Sequence, residues 1–145
     1  MNKQCELIEK IYKDAAMGRF STRKLLDNLK GRDNKITDDV ESIFEGYSSF
    51  EEKAKEALLT CDITPEEEGS ITKMMSSMGI FKEVLTDNSD AAIADLLIQG
   101  LSMGVIEMEK RVKGAKDDVN KEHLKLAKEF LKFQEKSQKT MEKYL

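Results

Sequence analysis

A chain of 145 residues with 39% hydrophobic and 36% charged residues, one Pro, eight Gly, two Cys and one His points to a single domain. Turn residues are too few for a many-stranded β fold. A lone His excludes any site that needs two, and two Cys exclude a zinc site of three or four cysteines. The net charge of −4 is uneven: residues 109–145 hold eleven Lys/Arg against seven Asp/Glu, and the preceding residues hold thirteen against twenty-one. An acidic body of this kind disfavours generic nucleic-acid binding through phosphate neutralisation.

Apolar residues recur at three- and four-residue steps almost throughout, the mark of amphipathic helices. The pattern predicts an all-α chain: an elongated, up-and-down antiparallel bundle of four to five long helices in one domain, 1–145. The first helix, about 2–30, carries Ile8, Ile11, Ala15, Gly18, Thr22, Leu25 and Leu29 on one stripe, and Gly31 suits its C-terminal cap. Cys5 lies off that stripe, while Met17 and Phe20 project away from it toward a dimer contact or the third helix. The second, about 37–61, carries Val40, Ile43, Phe44, Tyr47, Phe50, Ala54, Leu58 and Cys61. Thr64-Pro65-Glu66-Glu67 then forms a capping signal for a third helix, about 65–86. Its Met74, Met75 and Met78 read as core filler or as an adaptable partner surface.

Ser89 ends the run Thr86-Asp87-Asn88-Ser89 that caps the fourth helix, about 90–115. That helix is apolar over most of its circumference, so its expected place is central and buried, not across a membrane. Within it Gly100 and Gly104 form a small-residue notch, which hairpin geometry predicts to receive Phe130 or to leave a small cavity. The fifth helix, about 117–144, turns Leu124, Ala127, Phe130, Leu131, Gln134 and Met141 inward, with His123 near the same face. Opposite run Lys121, Lys125, Lys128, Lys132, Lys136, Lys139 and Lys143, within about 80° of arc. This row is a solvated face or a surface for an anionic partner.

Catalytic candidates are few. A carboxylate-bridged di-metal site in a bundle takes Glu from two helices and Glu-x-x-His from two others. Here Asn120 stands three residues before His123, so the standard set is incomplete. Glu51 and His123 are the candidate metal ligands. Asp14 and Glu107 complete an all-carboxylate alternative, although Glu107 projects about 120° from its helix's apolar face. Glu51 is expected to be a partly buried carboxylate facing Ala15, Ala16 and Gly18. His123 is expected to be a half-buried histidine bonded to a neighbour, with a metal ligand or a proton-responsive switch as the alternative.

Ile8-Tyr12-Ala15-Ala16, Gly46-Tyr47-Ser48-Ser49-Phe50-Glu51-Glu52 and the last two helices from Ala91 to Leu145 together resemble the ferritin-like four-helix-bundle superfamily, especially its small bacterial members. That resemblance implies two helical hairpins joined by a crossover containing the third helix. Of the family's metal residues it carries over Glu51 alone, and the failed Glu-x-x-His argues against oxidase, peroxidase and iron-storage activity. The expectation is a non-enzymatic bundle without a cofactor, in a bacterial-type cytoplasm with free thiols at Cys5 and Cys61; hairpin geometry sets the two at the same end of the bundle, which keeps a disulfide as the alternative. It would act through protein contact, as a homodimer. The alternatives are a single metal or small ligand near Glu51, and anion binding by the lysine row.

Overall fold

The computed structural model describes residues 3–61, 87–115 and 119–145. Four helices occupy them: α1 (Lys3–Leu29), α2 (Thr37–Leu59), α3 (Asp90–Gly114) and α4 (Lys121–Glu142). The expected third helix, its Thr64-Pro65 cap and its Met74, Met75 and Met78 lie outside the described residues.

Local chemistry sets the helix ends. Gly31 takes φ +77° after α1, a conformation that costs an L side chain but not glycine. The Ser89 hydroxyl accepts from the Ala92 amide at 3.2 Å and starts α3. The Asn120 side chain accepts from the Glu122 amide at 2.7 Å and starts α4. α2 has no side-chain cap of its own, since Ile36 stands at its N-cap. Its cap comes from another helix: the Asp90 carboxylate accepts from the Asn34 side chain at 2.8 Å and from the Lys35 and Ile36 amides at 3.3 and 3.5 Å. Orphan amides at the start of α2 thereby meet a negative charge, which the helix dipole favours.

These contacts fix chain directions. α1 and α2 form one antiparallel hairpin, and α3 and α4 a second. Asp90 lies beside the loop between α1 and α2, and Tyr144, just past α4, donates to Asp39 there. At the opposite end, Cys5 and Cys61 meet, and Leu7 shares a cleft with Ala115 and Val119. α2 and α3 therefore run in the same direction.

The core follows the apolar stripes of α1, α2 and α4: Ile8, Ile11, Ala15, Leu25, Val40, Ala54, Ala127, Phe130 and Met141 are all fully buried. Phe130 and Phe133 of α4 meet Tyr47 and Phe50 of α2, with ring centroids 5.1–6.3 Å apart. Tyr47 lies against Gly18, where a Cβ would overlap its ring.

Three expectations are corrected. α3 is peripheral, not central. Ile93, Ala94, Leu97, Leu101 and Met108 are buried, whereas Met103 and Ile106 are 63% and 54% exposed. α3 is also the one described helix long and apolar enough to cross a membrane. The glycine notch receives Gln134, not Phe130. The Gln134 amide fills the space a Cβ on Gly104 would need, and nothing approaches Gly100. Phe130 packs instead against Tyr47 and Phe50 of α2. Finally, Cys5 and Cys61 are disulfide-bonded, with Cα atoms 6.1 Å apart. Cys5 is buried because the inward face of α1 is wider than its main stripe. Tyr12 and Ala16 are buried with it, and the three lie within about 40° of arc.

The bond closes a loop of sequence separation 56. Reduction, or Cys61→Ser, is expected to lower unfolding stability by about 4 kcal/mol in the loop-entropy account. Urea denaturation with and without reductant measures the loss. Coincident curves would contradict a stabilising bond.

Candidate interaction surface

The carboxylates considered for metal binding are held by cations of the chain itself. The Lys10 ammonium sits 2.9 Å from Asp14 and 2.5 Å from Glu107, linking α1 to α3. Burial acts against the charge on Lys10, but the bonds to Glu107 and Asp14 outweigh it and raise the ammonium's pKa. Burial pushes the Asp14 carboxyl upward against the pull of Lys10, and its Oδ2 has no hydrogen-bond partner. The bond to Lys10 lowers the pKa of Glu107. Glu51 is half-buried, as expected, but it faces Arg19 instead of small residues, with Nε 2.8 Å from its carboxylate. Among the described residues, no group of three or more His, Cys, Asp or Glu is placed to hold a metal ion.

His123 is buried at 8% exposure. Its Nδ1 has no partner, so the expected bond to a neighbour is absent at that nitrogen. Burial lowers its pKa, with Glu122 acting weakly in the opposite direction. At the other end of α4, the bond to Asp39 is the main cause that pushes the Tyr144 phenol up to about 12.

A cleft of about 200 Å³ opens between the start of α1 and the end of α3, lined by Glu6, Leu7, Arg111, Gly114, Ala115 and Val119. Its exposed charged side chains are of opposite sign, and its lining includes no His, Cys or Ser for covalent or acid–base work.

The outer faces of the second hairpin differ from each other. On α4, Lys121, Lys125, Lys128, Lys132 and Lys136 are exposed, and none has an ion pair among the described residues. Lys143 pairs with Asp39 at 3.6 Å. On α3, Met103 and Ile106 stand open to solvent, with Leu96 half-buried beside them. Met17 and Phe20, the apolar candidates on α1, are only half-buried, and the Lys24 ammonium lies 5.7 Å from the Phe20 ring centre. Among the described residues, the large exposed apolar side chains are instead Leu59, Met103, Ile106 and Leu145. Two of these share the outer face of α3. The missed signal was a second apolar periodicity in that helix, masked by the first.

No protein-family model, curated protein or solved structure matches this chain.

Lys10→Met leaves the Asp14 carboxylate largely desolvated and without its hydrogen-bonded cation. The expected loss is about 1–3 kcal/mol, measured by urea unfolding. Lys10→Met with Asp14→Leu is expected to recover most of it, because no unpaired charge is then buried. An equal loss in the double variant would assign the effect to packing.

The His123 shift also fixes a sign. Its folded pKa lies below its unfolded value, so the folded state binds the proton less readily. Stability is expected to fall as pH drops below about 6.5, the ordinary histidine value. Denaturant midpoints between pH 8 and 5 should show this decline in the wild type and a shallower one in His123→Leu. Parallel profiles would refute it.

Proposed function

We propose that the protein is a non-enzymatic helical-bundle interaction module, and that it works through contact of the outer face of α3 with another protein chain. The observation that carries this reading is the exposure of Met103 and Ile106 on the most apolar of the described helices. Contiguous exposed apolar surface is uncommon on a soluble chain that works alone, and it marks contact sites. The pairing of Lys10 with Asp14 and Glu107, and of Arg19 with Glu51, supports a structural role for the carboxylates. Two hairpins with α2 and α3 running the same way support a ferritin-like course of the chain. The Cys5–Cys61 bond supports a setting in which disulfides persist, whereas a reducing cytoplasm would favour the two thiols.

The lysine row of α4 supports a second reading, an anionic partner, because Lys121, Lys125, Lys128, Lys132 and Lys136 are exposed and have no ion pair among the described residues. One experiment separates the two. A photo-reactive amino acid replaces either Met103 or Lys128 in cells producing the protein. The α3 reading predicts a discrete higher-mass protein adduct on irradiation from position 103 and none from position 128. No adduct from position 103 would overturn it, and an adduct from position 128 alone would favour the lysine row.

A further inference from the structure

The bridge from Lys10 to Glu107 sets the register between α1 and α3. The two helices run antiparallel. One turn nearer the disulfide, Glu6, four residues before Lys10, therefore comes level with Arg111, four residues after Glu107. Their charges are opposite, yet neither forms an ion pair among the described residues. The cleft of about 200 Å³ opens where that pair would close, and both residues line it. Arg111 also feels the charges of Asp14 and Glu107, but both of those carboxylates bond Lys10, which leaves the guanidinium open to an anion from outside.

The walls of the cleft are held on both sides. Cys5, next to Glu6, is bonded to Cys61, and Lys10 braces α1 against α3 one turn deeper. The floor is apolar, with Leu7 and Val119 buried and Ala115 half-buried. Gly114 lines the cleft without a side chain, and a Cβ added there would meet nothing within 4 Å.

A carboxylate, a guanidinium and an apolar floor match a molecule that carries an ammonium, a carboxylate and an apolar group together. A guanidinium receives a carboxylate in a two-pronged fork. Glu6 disfavours a simple anion and Arg111 a simple cation, so the pair selects a molecule bearing both charges. Pockets for drug-sized ligands run from about 300 to 1,000 Å³, and this smaller cleft suits a single amino acid.

We infer that the cleft binds a free α-amino acid with an apolar side chain, its carboxylate on Arg111, its ammonium on Glu6 and its side chain over Leu7, Ala115 and Val119. The site is separate from the protein contact proposed for the outer face of α3, and either can fail alone. Both charges stand at an exposed mouth, where each ion pair contributes little, so the dissociation constant is on the order of 1 mM.

Titration of the isotope-labelled protein with L-leucine to about 20 mM, well above that constant, tests the inference through amide chemical shifts. Saturable shifts are expected at Glu6, Leu7, Gly114, Ala115 and Val119. Isocaproate, which is leucine without the ammonium, and isoamylamine, which is leucine without the carboxylate, should each bind about fivefold more weakly. Arg111→Met should erase the advantage of leucine over isoamylamine, and Glu6→Gln its advantage over isocaproate, with helicity unchanged in both. No shift at these amides, equal affinity for the three compounds, or unchanged leucine affinity in both variants would overturn the site.

Discussion

Asp90 holds the two hairpins in register. Its carboxylate meets the side chain of Asn34 and the amides of Lys35 and Ile36, at a helix start whose N-cap, Ile36, has no polar side chain. The same residue forms the first turn of α3. One carboxylate therefore serves the N-termini of two helices from different hairpins, and the dipoles of both favour its charge. Lys10 forms a second tie farther along, between α1 and the Glu107 side of α3. With α3 anchored at its start and braced from α1, its position does not require packing on every side.

That arrangement explains how the most apolar of the described helices comes to sit at the edge. The bundle interior is filled by Tyr47, Phe50, Phe130 and Phe133 and by the aliphatic stripe of α1. α3 contributes one narrow stripe to it and leaves a second stripe outside. Burial of Gln134 against Gly104 belongs to the same economy of space. Its flat amide enters where only a bare glycine backbone leaves room, and one amide oxygen goes without a partner.

Much of the architecture was legible in the residue order. The stripes of α1, α2 and α4 carried the core because each has one clear apolar face. Gly31 and Ser89 were readable as helix ends because caps are local chemistry. What escaped depended on long-range partners. Two superimposed periodicities in α3 look, in one dimension, like a helix buried all round. Lys10 and Arg19 were not readable as partners of Glu107 and Glu51, since the pairing residues come from separate helices. Cys5 was misplaced because a stripe drawn through the strongest apolar residues is narrower than the face that packing buries. Asn120, which stands where a di-metal site would need Glu, is the N-cap of α4.

The bond between Cys5 and Cys61 makes the first hairpin a covalent ring. α1 from Cys5 onward, its loop and α2 all lie between the two sulfurs. A protease that cut within the exposed residues Lys30 to Asp33 would open the backbone without releasing a fragment. The two helices would remain tied at their far ends and packed along their length. In this protein the loop between α1 and α2 can be severed and the hairpin still remain one molecule.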